Sequence, residues 1–116
     1  AVLAEGLEKA LGHLQGATMW LAQNGFKNPN DVGAGAYPYM QLTGTVALGL
    51  MWLRMARAAA DALAAGGGDA SFYEAKLVTA RFYAERFLPD ASGLRRKIEA
   101  GSETVMALDP ELFRAA

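Results

Sequence analysis

The sequence of 116 residues contains no cysteine and only one histidine. The lack of cysteine excludes disulfides and thiolate metal sites, and it leaves the redox compartment open. The single histidine, His13, has Ala10 three residues before it, so the Glu-x-x-His pairs of di-iron helical bundles are absent. We therefore predict no metal site, and we interpret His13 as a partly exposed structural residue.

An excess of charge of one sign is also missing. Eleven basic residues stand against twelve acidic ones, which gives a net charge of −1. Such a chain has no field that would attract nucleic acid or an anionic membrane, so we predict neither as a partner. The sequence does not open with the basic segment, apolar stretch and small-residue cleavage site of a secretory signal, and we expect a cytoplasmic protein.

Long apolar runs are scarce, and the longest spans residues 44–53, GTVALGLMWL. A helix that crosses a bilayer needs about 20 apolar residues, whereas Arg54 closes this run and Arg57 follows soon after. A helix that is apolar on all sides is typical of a protein core. We therefore predict that the run lies inside a soluble domain, wrapped by other helices, and not in a membrane.

Strand patterns are absent as well, because β-branched residues are few and apolar residues do not alternate. Apolar residues instead recur every three or four positions, as in helices. This spacing predicts four helices, over residues 2–24, about 38–65, 71–88 and 92–108. Asp109-Pro110-Glu111 predicts one closing turn. The expected fold is an all-α antiparallel four-helix bundle with one long central helix and a short C-terminal turn.

Signals for helix starts and loops are uneven along the chain. Ser71 and Glu74 have the spacing of a capping box, which predicts that Ser71 caps the third helix. Residues 26–37 are rich in Asn, Gly and Pro and predict a loop whose end the sequence does not define. The Gly33-Ala34-Gly35 stretch within it does not continue into a phosphate-binding loop, since Pro38 stands where a third glycine belongs.

The carboxylates suggest no catalytic centre. Glu5 with Glu8, and Glu99 with Glu103, would share a helix face as an acid/base pair does. Neither pair has a visible pocket or a partner histidine, so solvated faces are the better interpretation. The sequence therefore predicts no catalytic, metal-binding or cofactor-binding residue in this chain.

A basic cluster, Arg95, Arg96 and Lys97, lies in the predicted first turn of the fourth helix. The helix dipole disfavours cations at that end. Two interpretations stay open. The cluster is either a solvated basic face in which Arg95 pairs with Glu99, or a surface for an acidic patch or a phosphate-bearing ligand.

The second predicted helix is longer than its neighbours. At 1.5 Å per residue it would measure roughly 42 Å, against roughly 34, 27 and 24 Å for the others. Its overhanging part is rich in alanine, which permits close approach of another backbone. Leu63 lies in that part, and four aromatic residues add more aromatic surface than four short helices need. We therefore predict an interface with another domain or subunit at Trp20, Tyr37, Tyr39, Trp52 and Leu63. The chain also opens inside a helical pattern, which suggests a single helical domain, residues 1–116, from a longer protein.

Several segments are similar to one protein family. They are Gly16–Leu21, Gln23–Gly25, Asn28–Pro29, Tyr39–Leu42, Val46–Trp52, Arg54–Ala56, Phe72–Leu77, Ala80–Tyr83, Arg86–Pro89, Ile98–Gly101 and Leu108. In their order and loop placement, over about residues 3–113, the chain resembles the C-terminal domain of bacterial acyl-CoA dehydrogenase-like proteins of the methylthiopropionyl-CoA dehydrogenase type. Thr43 departs from the family pattern, in which a bulkier, often aromatic residue is expected.

The resemblance implies an FAD-dependent enzyme that removes two hydrogens from the α and β carbons of an acyl-CoA thioester. A carboxylate and the flavin would do so in core domains that precede this one. No residue here matches the family's catalytic glutamate or flavin-binding motifs. The expected function is that of a non-catalytic domain, without a cofactor of its own, that packs on the catalytic core or on a neighbouring subunit of a homo-oligomer.

Two alternatives stay open. The chain could be a free-standing helical module that dimerises through its alanine-rich and aromatic surfaces. It could also be a bundle with an apolar ligand pocket lined by Met19, Met40, Met51 and Phe82. The genomic reading frame separates the first alternative from the expected function, because the latter requires several hundred residues upstream.

Overall fold

The computed structural model describes residues 2–114. Over this range the chain forms helices and turns and no strand, which confirms the all-α prediction. The four predicted long helices are present, followed by one short helix and a closing 3₁₀ turn. Their bounds are α1 (Val2–Gly25), α2 (Pro29–Ala64), α3 (Ala70–Arg86), α4 (Asp90–Glu99), α5 (Glu103–Met106) and the 3₁₀ turn (Pro110–Arg114).

The helix α2 begins well before its predicted start. Asn28 has an extended backbone, with φ of −144°, and its side-chain oxygen accepts a hydrogen bond from the Asn30 N–H at 3.2 Å. Pro29 occupies the first helical position, where an N–H would lack an intrahelical partner in any case. The predicted loop over residues 26–37 is therefore right only for residues 26–28, because this cap and this proline start the helix at residue 29. Pro38 lies inside α2, whose 36 residues span about 54 Å.

The helix α3 also begins earlier than predicted. The Asp69 carboxylate accepts hydrogen bonds from the N–H groups of Ser71 at 3.0 Å and Phe72 at 3.4 Å, so Asp69 is the N-cap. The prediction that Ser71 caps this helix is wrong, because aspartate caps as strongly as serine and stands two residues upstream. At its other end α3 stops at Arg86, close to the predicted stop at Pro89.

The fourth predicted helix is divided in two. The helix α4 starts at Asp90 and ends at Glu99, and Gly101 then takes φ of +74°, a left-handed conformation that glycine adopts without strain. The predicted helix over residues 92–108 is therefore wrong beyond Glu99, and α5 has no buried residue. The predicted closing turn is confirmed as the 3₁₀ turn that begins at Pro110.

One core joins the four long helices. Spacing predicts an apolar stripe along α3 that consists of Tyr73, Leu77, Ala80, Ala84 and Leu88. The last three of these residues are buried, and the first two are half-buried. The stripe predicted for α1 is only partly right, because Leu3 and Leu7 are buried but Leu11 is exposed, and Ala10 packs inward beside it. The buried cluster consists of Leu3, Leu7, Ala10, Ala17, Leu42, Val46, Ala80, Tyr83, Ala84, Leu88, Ala91 and Ile98.

Two glycines let neighbouring elements approach α2 closely. A Cβ on Gly49 would lie 2.9 Å from Leu7 Cδ1 and 3.2 Å from Leu88 Cδ2. A Cβ on Gly35 would lie 3.3 Å from Ile98 Cγ2. Side chains of α1, α4 and the α3–α4 turn therefore pack directly on the backbone of α2.

The helices α3 and α4 follow one another along α2. In α3, the Lys76 ammonium lies 5.9 Å from the centroid of the Trp52 ring, in the second half of α2. In α4, Ile98 packs at Gly35, near the start of α2. Two shorter helices thus cover α2 in series, and Ala59 is buried within the alanine-rich part that was predicted to overhang its neighbours.

The apolar run of residues 44–53 is buried on one side only. Val46 and Gly49 are buried, but Leu48, which is 56% exposed, and Met51 are open to solvent. The prediction that other helices wrap this run is wrong for this chain, because α1, α3 and α4 all pack on the same side of α2. Within residues 2–114, no helix combines the length and the apolar character needed to cross a membrane.

Candidate interaction surface

The single histidine lies at the contact between α1 and α4. His13 is half-buried, and its Nδ1 lies 3.4 Å from Arg95 Nη1. The Arg95 guanidinium also donates a hydrogen bond to the Glu99 carboxylate at 3.1 Å, and it lies against Gly16, where any side chain would collide with it. His13 is therefore partly exposed, as predicted, and contacts an arginine at a helix–helix contact.

The basic cluster occupies a different part of its helix from the one predicted. Because α4 begins at Asp90, Arg96 and Lys97 lie in its last turn, where the helix dipole favours cations. Both side chains are exposed, whereas Arg95 is held by Glu99. The predicted conflict with the dipole is wrong, and the position of the cluster has an explanation that involves no ligand.

The carboxylates are distributed over the surface. Glu5, Glu8 and Glu103 are exposed, and Glu99 forms its ion pair with Arg95. Across the described range, no group of three or more His, Cys, Asp or Glu residues is placed to hold a metal ion.

A polar cluster that sequence spacing does not predict ties the end of α4 to the start of α2. Asp31 Oδ1 accepts hydrogen bonds from the Ser102 N–H at 2.9 Å and from the Ser102 hydroxyl at 2.8 Å. The Asn28 side-chain amide donates to the same hydroxyl at 3.2 Å. Ser102 is only 3% exposed, so these bonds pair polar groups that water hardly reaches. The two segments are 71 residues apart, and no local pattern could have indicated this contact.

The five residues predicted at an interface occupy different kinds of position. Trp20, Tyr39 and Trp52 are half-buried and pack against the core of the chain. Leu63 is half-buried near the end of α2, whereas Tyr37 is 65% exposed. The structure thus brings most of these side chains into contacts within the chain, and their role at an interface with another domain stays a prediction.

The four side chains named for an apolar ligand pocket do not come together. Met19, Met40, Met51 and Phe82 are all exposed, and they belong to three different helices. Because exposed side chains do not line an enclosed pocket, the pocket alternative is wrong.

One side of α2 has no packing partner among residues 2–114. We call it the outer face of α2 and define it by its large exposed side chains, Tyr37, Met40, Leu48, Met51 and Met55. It lies opposite the side that carries the buried residues Leu42, Val46 and Gly49. Residues 32–53 include no charged residue. Exposed apolar surface without charge marks an interaction site, so this face is the candidate functional surface of the chain.

Comparison with known proteins confirms the resemblance described above. A sequence model of the family described as "Acetyl-CoA dehydrogenase C-terminal like" matches residues 1–109. The chain is 34% identical over 117 residues to the broad-specificity linear acyl-CoA dehydrogenase FadE5 of Mycobacterium tuberculosis. This alignment covers 97% of the present chain and 19% of FadE5. It is 35% identical over 80 residues to the 3-methylmercaptopropionyl-CoA dehydrogenase of Ruegeria pomeroyi. This second alignment covers 69% of the present chain and 13% of that relative. The chain spans less than a fifth of either relative, and it belongs to the acetyl-CoA dehydrogenase C-terminal-like family.

Proposed function

We propose that residues 1–116 form one non-catalytic helical domain at the carboxyl end of a longer, FAD-dependent acyl-CoA dehydrogenase-like enzyme. The observation that carries this proposal is the family match over residues 1–109, in a chain that spans only 19% and 13% of two relatives named as acyl-CoA dehydrogenases. The single core that joins all four long helices supports the assignment of one domain.

In this proposal the remainder of the protein carries out the chemistry. That part binds FAD and removes two hydrogens from the α and β carbons of an acyl-CoA thioester, in a cytoplasmic homo-oligomer. The present domain contributes packing surface to the catalytic core or to a neighbouring subunit, and its interface includes the predicted residues Trp20, Tyr37, Tyr39, Trp52 and Leu63. The uncharged outer face of α2 supports such a packing role.

The helices of this domain are antiparallel about α2 in the arrangement that we propose. Leu7 packs at Gly49 and Leu21 packs at Gly35, so the two ends of α1 meet opposite ends of α2. The chain passes from α3, at the second half of α2, to α4, near the start of α2. Both α3 and α4 therefore run in the direction opposite to that of α2. The bundle would therefore have α1 and the α3–α4 segment as two rows beside one long central helix.

The test compares three proteins: the full reading frame, the same protein without residues 1–116, and the 116 residues alone. We expect flavin absorbance and acyl-CoA-dependent reduction of an electron acceptor in the full protein, and a colourless, inactive preparation from the 116 residues. Flavin that copurifies with the 116 residues alone, or a full protein without flavin, would contradict the proposal. A reading frame that starts just before residue 1 would favour the free-standing module instead.

A further inference from the structure

The outer face of α2 differs from the other long exposed surface of the chain, that of α3. On α3, exposed Val78 stands among charged side chains, including the ion pair between Arg81 and Glu85 at 3.4 Å. Single apolar side chains among charges are ordinary for a protein surface. Residues 32–53 of α2 instead carry no charge at all, on either the buried or the exposed side.

The shape of this face also suits close contact with another protein. Met40, Gly44 and Met51 are four and seven residues apart, so they lie on the same side of the helix. A Cβ added to Gly44 would find no atom within 4 Å. A glycine between two methionines leaves a shallow strip along which another backbone can lie, while the flexible methionine side chains adapt to its contours.

The charge at the end of this face indicates what surrounds the contact. Arg54, three residues after Met51, is exposed and forms no ion pair with any residue of the part of the chain that the structure describes. Charged groups at the edge of an apolar contact set its orientation. We therefore expect carboxylates on the partner where it meets this end of α2.

The length of the relatives indicates which protein surface would cover the outer face of α2. More than four-fifths of each relative lies outside the segment that matches this chain. A domain joined to such a remainder meets it at an effective concentration of about millimolar. An uncharged face that is apolar in its middle is typical of an interface that is never released to solvent.

We propose that the outer face of α2 docks on an apolar surface of the catalytic part of the same polypeptide, with Met40, Leu48 and Met51 at the centre of the contact. This inference rests on the proposed function, and it names the surface through which the domain is held. The aromatic residues Trp20 and Trp52 lie outside this centre because they already pack on the core of the domain.

The absence of cysteine from the chain makes this contact directly measurable. Met51→Cys and Met40→Cys each introduce one thiol on the outer face, and Val78→Cys introduces a matched exposed thiol on α3. The rate of maleimide labelling at each site is measured by peptide mass spectrometry, in the 116 residues alone and in the full-length protein. We expect labelling at positions 40 and 51 to be slower by about tenfold or more in the full-length protein, since a buried thiol is protected from reagent. Labelling at position 78 should be equal in both proteins.

Two results would overturn the inference. Equal rates at positions 40 and 51 in the two proteins would show that the face stays open. Labelling of the isolated 116 residues that slows as their concentration rises would assign the face to a second copy of the chain. Flavin absorbance of the same full-length preparations reports separately on the proposed function, so flavin together with unprotected thiols means that only the docking inference has failed.

Discussion

The outer face of α2 and the opposite side, which we call the inner side, are built from the same kind of residue, yet their surroundings differ. Leu42 and Val46 are buried on the inner side, whereas Leu48 and Met51 are exposed on the outer side. Both sides lack charge through the middle of the helix. Apolar character therefore indicates which surfaces can be buried. The positions of the neighbouring helices decide which of these surfaces is buried within this chain.

The sharpest test of this comparison replaces one leucine on each side. Leu42→Ala should lower the free energy of unfolding by about 2–5 kcal/mol, because it leaves a cavity among fully packed side chains. Leu48→Ala in the 116-residue chain should change it by no more than about 0.5 kcal/mol, because the side chain is already exposed. Urea denaturation measures both, and similar losses for the two variants would show that the outer side is packed after all.

The inner side at the start of α2 can be tested through the polar contact with the end of α4. Asp31→Ala removes the acceptor of two hydrogen bonds from Ser102. We expect a loss of about 1–3 kcal/mol in the free energy of unfolding, since a buried N–H and a buried hydroxyl lose their partner. Asp61→Ala, at the exposed other end of α2, is the matched control, and chemical denaturation should show it to be nearly neutral. A neutral Asp31→Ala would mean that water replaces this contact freely.

Two glycines provide a finer comparison of the two sides. Gly44→Ala adds a methyl group in open space and should stabilise the helix by up to about 1 kcal/mol. Gly49→Ala gains the same helix propensity but pushes its Cβ against Leu7 and Leu88, so it should be less stable than Gly44→Ala by about 1–3 kcal/mol. Thermal unfolding of the pair gives this difference directly. Equal stability of the two variants would show that the inner contact is loose.

The smallest expected effect concerns the tyrosine that reaches the inner side from α3. The Tyr83 hydroxyl donates to the Thr45 carbonyl at 2.6 Å, and burial raises the pKa of Tyr83 above its usual 10.0. Tyr83→Phe should therefore cost about 0.5–1.5 kcal/mol at neutral pH. Because the folded chain holds this proton more tightly than the unfolded chain does, the contribution of the phenol to stability is complete below pH 10.0 and is lost as the pH rises through the raised pKa.

The dependence of stability on alkaline pH tests the role of the Tyr83 hydroxyl. Tyr83→Phe should flatten the loss of stability above pH 10.0 that the unaltered chain shows. Tyr37→Phe, which removes a phenol from the exposed outer face, is the control variant. Unfolding curves recorded between neutral and alkaline pH decide between the two, and an unchanged slope in Tyr83→Phe would contradict the assignment.

The predictions from sequence succeeded where local pattern decides the outcome. Ala80, Ala84 and Leu88 of the stripe predicted for α3 are buried, as their spacing indicated, and α1 covers nearly the predicted residues. Ends of helices were harder to predict. Glycines and Asn30 made residues 26–37 resemble a loop, although Asn28 and Pro29 already formed a complete helix start.

The error in the fourth helix has a different origin. Leu94, Ile98, Gly101 and Val105 keep helical spacing, so the pattern continues through a position at which the structure ends the helix. Gly101 takes the left-handed conformation directly before Ser102, whose N–H and hydroxyl donate to Asp31, so the turn is held by a contact with a distant part of the chain. No window of neighbouring residues contains that information.

The candidate surface was anticipated only in part. Unusual length and an alanine-rich end in the second helix led to the prediction of an interface, which stays a prediction; of the five residues named for it, Tyr37 is the exposed one. Trp20 and Trp52 were chosen because they are large and aromatic, yet they pack within the chain. A sequence shows how many aromatic side chains a chain has, but it does not show how many of them pack against the chain's own core.

Local periodicity alone determined that this protein is helical, how many long helices it has, and that the apolar run of residues 44–53 is helical. Composition alone excluded thiol chemistry. Only the tertiary structure decided which side of α2 faces the other helices and where the chain breaks after α4. The physical reason is that spacing selects a buried side only when a helix has one polar and one apolar side. Where α2 is uncharged all round, the positions of α1, α3 and α4 make the choice, and Gly35 and Gly49 let them approach closely on that side.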